Sequence, residues 1–116
     1  MIVFPLSDVV LTIVMFQYEI KREKEKAFIY LNGSMSLRDT PKLKTEIKEL
    51  IDSDSVKELV LDFKDLTYLD SSGIGILLHT YSWTKENGKK VKMAHLSNEI
   101  RTIFSVANLL EIFETE

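Results

Sequence analysis

The 116-residue sequence has no cysteine, two prolines and four glycines. Without thiols there is no disulfide framework, no thiolate nucleophile and no cysteine-based zinc site. That absence suits a reducing cytoplasm, the expected location. Few glycines and prolines argue against repeats, low-complexity tracts and long linkers, leaving one compact α/β domain as the simplest reading. An excess of one charge is also missing. The 15 basic and 18 acidic residues give a formal net charge of -3, which offers no electrostatic case for nucleic acid. The strongly apolar "MIVFPLSDVVLTIVMF" opens the chain but is broken by Pro5 and Asp8. It is too short for a membrane span and lacks the basic start and small-residue cleavage site of a signal peptide. Residues 1–15 read as an arm or extra strand, with the domain proper at 16–116; Met15 offers an alternative first residue. No membrane association is expected.

What is present alternates between two periods. Phe16, Tyr18 and Ile20 alternate with polar residues, as in a half-buried strand. "KREKEK" is a solvated strand end and turn, and "AFIYLNG" is a second strand stopped by Asn32-Gly33. A short polar link predicts that these two strands pair antiparallel. Leu43, Ile47, Leu50 and Ile51 then mark a helix face, with Thr40 as N-cap before Pro41. Val56 to Phe63 reads as a central strand covered on both faces. Ile74, Leu77, Leu78 and Tyr81 give a second helix face, and Asn87-Gly88 stops it. Lys89 to Leu96 is a strand. Ser97 caps a helix with Ile100, Ile103, Phe104 and Ala107 inward, and Leu109 to Glu114 holds a last short strand. The order β-β-α-β-α-β-α-β predicts a mixed, mostly parallel sheet with an antiparallel edge strand and helices packed on it.

Chemistry concentrates at Asp70-Ser71-Ser72-Gly73, at the turn from strand to helix. In open α/β sheets, sites favour this carboxyl edge of the strands. Exposed amides and the helix dipole can accommodate a phosphate there. Two readings stand side by side: a serine that caps the helix, or a serine hydroxyl with a function. Gly73 and Gly75 would leave room for a close protein partner. A hydrolase fits poorly, because D-S-S-G-I-G is not the G-x-S-x-G elbow. His79 lies about 12 Å along the helix from Ser71, at 1.5 Å per residue. His95 ends the next strand and would share the sheet edge. There is no P-loop and no histidine–carboxylate spacing for zinc, so no catalytic residue, metal or cofactor is expected.

"VLDFKDLTYLDSSGIGILL" resembles the signature of the anti-sigma-factor antagonist branch of the STAS domain family, and "YLNGSMS" resembles an upstream segment of the same family. The element order matches from about Phe16 onward. The resemblance implies a partner switch. The unmodified protein binds an anti-sigma factor that is also a serine kinase; phosphorylation of the serine after the motif aspartate, here Ser71, releases it; a serine phosphatase restores binding. Asp70, Ser72, Gly73, Gly75, Ser34, Ser36 and Asp39 would then form the partner surface, with Ile74, Leu77 and His79 either beside it or in the core. The implied protein is a monomer or small homo-oligomer. The alternative within the family is a non-enzymatic scaffold in a signalling assembly. The sequence departs from the family pattern twice. Ser36 stands where an acidic residue is usual, with Asp39 three residues later as a substitute displaced by a turn of helix. The final helix common in relatives is missing or minimal, and the apolar arm is a candidate to cover the face that helix would protect.

Overall fold

The structure, a computed structural model, describes residues 16–106 and 114–115. The expected arm, Ala107 and most of the expected last strand lie outside them. Strands β1 (Gln17–Glu23) and β2 (Lys26–Met35) form an antiparallel hairpin, turning at Lys24 and Glu25. Helix α1 (Thr40–Asp52) leads to β3 (Glu58–Leu69), α2 (Ser71–Glu86), β4 (Lys90–Ala94), α3 (Asn98–Val106) and β5 (Glu114–Thr115). The sheet order is β1-β2-β3-β4-β5; every pair after the first is parallel. This is the mixed α/β sheet expected from the sequence.

One face of the sheet carries the core. Ala27, Ile29 and Leu31 of β2 align with Leu59, Leu61 and Phe63 of β3 and with Val91 and Met93 of β4. Leu43, Ile47 and Ile51 of α1, Ile76 and Leu77 of α2, and Ile100 and Phe104 of α3 join the same cluster. Phe63 and Phe104 meet edge to face at 5.5 Å, a favourable aromatic geometry.

Several boundaries differ from the sequence reading, each for a local reason. Strand β3 continues six residues past Phe63, and β2 continues past Gly33 to Met35. The register explains why alternation fades. From Tyr30 to Asn32, β2 advances two residues while β3 advances three, and from Gly33 to Ser34 it advances one against two. Each shift inserts an extra residue into β3, the count of a β-bulge. Leu66 and Leu69, three apart rather than two, therefore both point into the core. At α1 the N-cap is Asp39, not Thr40; Thr40 opens the helix and its hydroxyl donates to the Leu37 carbonyl at 3.2 Å. On α2 the buried stripe is Gly73, Ile76, Leu77, Thr80 and Thr84, whereas Leu78 is exposed and Ile74 and Tyr81 are half-buried. Counting apolar residues missed this stripe because it includes two threonines. Thr80 donates to the Ile76 carbonyl at 2.7 Å and Thr84 to the Tyr81 carbonyl at 2.8 Å, so both can be buried without an orphaned hydroxyl. Ser97 caps α3 as expected, its hydroxyl accepting from the Ile100 amide at 3.2 Å.

Candidate functional site

The ends of β2 and β3 lie side by side. Ser34 pairs with Tyr68 and Met35 with Leu69, and the Asp70 amide donates to the Met35 carbonyl at 3.3 Å. The loop Ser36–Asp39 and the turn at Asp70 are thereby joined, and α1 and α2 both begin at this edge. Of the predicted site residues, Asp70, Ser71, Ser72, Gly75, Ser34, Ser36 and Asp39 come together here.

The two serines occupy different situations. Asp70, not a serine, is the N-cap of α2. Its Oδ1 accepts from the Ser72 amide at 3.0 Å, the Gly73 amide at 3.1 Å and the Ser72 hydroxyl at 2.5 Å. These bonds satisfy amides that a helix start leaves without partners. The Ser72 hydroxyl first, and the amides of Gly73, Ser72 and Leu37 after it, hold the Asp70 carboxyl below its ordinary range against the opposing effect of burial. Ser72 is thus committed to the cap. Ser71, first residue of the helix, is exposed, and its hydroxyl makes no hydrogen bond among the described residues.

The glycines also divide. Gly73 is buried, and a Cβ there would lie 3.0 Å from Leu69 Cβ and 3.3 Å from Met35 Sδ. The expectation that Gly73 opens the turn to a partner is therefore corrected: its missing side chain lets α2 start tight against β2 and β3. At Gly75 an added Cβ would meet no described residue within 4 Å beyond its own stretch of helix. Leu77 is core.

The early loop answers one departure from the family pattern. Asp39 folds back onto Ser36, its Oδ2 accepting from the Ser36 amide at 2.9 Å and from the Ser36 hydroxyl at 3.2 Å, while the Asp39 amide donates to the Ser36 carbonyl at 2.9 Å. A carboxylate therefore stands beside position 36 although that residue is serine.

The histidines do not complete a catalytic pair with Ser71. His95 does not reach this edge: its Nδ1 lies 2.9 Å from Asp62 Oδ2, and Asp62 is eight residues before Asp70, roughly 25 Å along the strand at about 3.3 Å per residue. The shared edge expected for His95 fails because β3 outruns β4, whose last pair is Asp62 with Ala94. His79 is exposed and packs edge to face on Trp83 at 5.5 Å. Among the described residues no His, Asp and Glu cluster converges as a metal site, and no helix is long and apolar enough to cross a membrane.

Sequence reasoning missed two apolar neighbours. Leu37 is 71% exposed in the early loop and Tyr68 is 51% exposed at the end of β3. Leu37 had a visible signal, a lone leucine in a polar loop; Tyr68 did not, because the bulges reset which residues face outward.

The comparisons agree with this architecture. The STAS domain family profile matches residues 17–116. The anti-sigma-B factor antagonist of Bacillus subtilis is 23% identical over 96 residues, covering 83% of this chain and 86% of the relative. The solved anti-sigma factor antagonist SpoIIAA superposes with a TM-score of 0.74 in its unphosphorylated form, at 22% identity over 88% of each chain. Its phosphorylated form, from Bacillus, gives 0.69 at 22% identity over 88% of this chain and 91% of that one. With a profile match across residues 17–116, nearly all of its length, the chain belongs to the STAS domain family.

Proposed function

We propose that this protein is an anti-sigma factor antagonist working by partner switching in the cytoplasm. Unmodified, it binds an anti-sigma factor through the edge formed by Ser34, Ser36, Asp39, Asp70, Ser72 and Gly75. The anti-sigma factor, acting as a serine kinase, transfers the γ-phosphoryl group of ATP to the Ser71 hydroxyl and releases ADP, and a serine phosphatase hydrolyses the ester to restore the free serine. The observation that carries this reading is the division of labour between the serines: Ser72 is tied into the cap, and Ser71 is exposed with a free hydroxyl on the first residue of the helix. Support also comes from relatives named as antagonists and from a neighbour solved in both phosphorylated and unphosphorylated forms.

The switch needs no refolding. A phosphate adds about -1.5 to -2 charges at neutral pH. At the start of α2 the helix dipole offsets part of that charge within the domain. Asp70 next door adds like charge, and a closely fitted partner has little room for either bulk or charge. A change of about 3 kcal/mol in binding corresponds to more than a hundredfold in affinity.

The test combines phosphosite mapping and co-purification from native cells, in growing and stressed cultures. A phosphate on Ser71 whose occupancy changes with conditions, and an anti-sigma factor recovered with the unmodified form, are the expected results. A Ser71→Ala chain should still bind and should lose the phosphate. A well-detected Ser71 peptide that never carries phosphate, or unchanged phosphate stoichiometry in Ser71→Ala, would overturn the assignment.

A further inference from the structure

The surface between α1 and α2 is not explained by the switch. Both helices start at the site edge, and the groove between them begins there as a cavity of about 200 Å³ lined by Thr40, Lys44, Ser72, Gly75, Ile76 and His79. Farther along, Trp83 is half-buried and flanked by two cations. Lys44 Nζ lies 5.8 Å and Lys48 Nζ 6.0 Å from its ring centroid, with the His79 ring against its edge. Among the described residues, neither lysine has a carboxylate within ion-pair distance. A chain with a net charge of -3 thus gathers unneutralised positive charge on one aromatic strip that opens beside Ser72. The cation–π contacts place both ammonium groups over the indole, and as exposed groups they keep protons available to an incoming acceptor. Open space at Gly75 admits close approach at the mouth of the groove.

We propose that the partner's contact runs from the Ser71 edge down this groove, and that the partner presents an acidic segment whose carboxylates pair with Lys44 and Lys48 while an apolar side chain rests on Trp83. Charge complementarity selects this occupant: Lys44 and Lys48 repel a basic segment, and among the described residues no carboxylate lies within ion-pair distance of either. Tryptophan is also one of the residue types enriched at binding hot spots, and Trp83 is half-buried with exposed lysines beside it. The inference rests on the proposed function, because the partner is the anti-sigma factor named there.

Trp83 is the sole tryptophan of the chain, so it supplies its own reporter. The chain is produced with 5-fluorotryptophan, and its single fluorine resonance is followed while the unlabelled anti-sigma factor is added. Affinity is measured in parallel for wild type, Lys44→Glu/Lys48→Glu and Ser71→Glu. Expected are a shift of the resonance on binding and at least a tenfold loss of affinity in the lysine double variant. Replacing acidic residues of the partner with lysine should recover part of that loss. Thermal unfolding of the double variant separates a binding defect from misfolding; were it unfolded, the fluorine shift of the wild-type chain alone decides. If Ser71→Glu weakens binding while the resonance stays in place and the double variant binds within twofold of wild type, the groove lies outside the interface and only this inference falls. If wild type does not bind the anti-sigma factor at all, the proposed function falls with it.

Discussion

Asp70 is the residue on which the local geometry depends. Its carboxylate takes two amides and a hydroxyl at the start of α2. Replacing it with alanine removes the cap, and Asp70→Ala should lower stability by about 1 kcal/mol at neutral pH, read by urea unfolding. The pH dependence has a definite sign. The folded-state carboxyl is held below its ordinary value, so its contribution is present above the unfolded-state value, near pH 4. It fades as the pH falls through the lower, folded-state value. The stability gap between wild type and Asp70→Ala should therefore narrow at acid pH; a gap that widens there would contradict the capping role. The motif was legible in the sequence as a charged and hydroxylated corner, but which group caps and which is free was not. That depends on which way a carboxylate turns, and Asp, Ser and Ser are all competent caps.

Helix α2 shows why two glycines a residue apart differ. Alanine at position 73 must fit a Cβ against Leu69 and Met35, an overpacking cost of about 1–3 kcal/mol that should outweigh a helix-propensity gain of about 1 kcal/mol. Alanine at position 75 meets no other described part of the fold within 4 Å beyond its own stretch of helix, so the propensity gain of up to about 1 kcal/mol remains. Gly73→Ala should melt below wild type and Gly75→Ala at or above it, and under the proposed docking Gly75→Ala should also weaken partner binding through its added methyl. Calorimetry of the two variants checks the order of melting, and the reverse order would contradict the packing. Sequence periodicity placed every described helix, because Leu43, Ile47, Ile51, Ile100 and Phe104 repeat at helical spacing and are buried. It misjudged the buried face of α2, where glycine and back-bonded threonines take core positions. It also ended β3 early, because two extra residues there break the alternation on which a strand is recognised.

Across the whole molecule, the core and the proposed phosphorylation site occupy different places. Helices α1, α2 and α3 share one core on the sheet, and Ser71 lies on an exposed turn outside it. A charge at Ser71 should thus leave the fold intact: Ser71→Glu is expected to keep the far-ultraviolet circular dichroism of wild type and a melting temperature within a few degrees, since exposed substitutions usually change stability by less than about 0.5 kcal/mol. The order of elements along the chain, the antiparallel edge strand and the parallel crossovers were legible from the alternation of elements alone; the spatial order of the strands came from the structure. The contact between the Ser36–Asp39 loop and the Asp70 turn was not, because it arises from the long-range pairing of Ser34 with Tyr68 and Met35 with Leu69. The Asp39 carboxylate beside Ser36 belongs to the same edge and puts an acid where the altered motif seemed to have lost one. The most direct measurement is a calorimetric titration of the co-purifying anti-sigma factor with two preparations of this chain, unmodified and phosphorylated on Ser71. A partner switch requires the phosphorylated chain to bind about a hundredfold or more weakly, a difference near 3 kcal/mol. Equal affinities for the two preparations, with both chains folded, would contradict it.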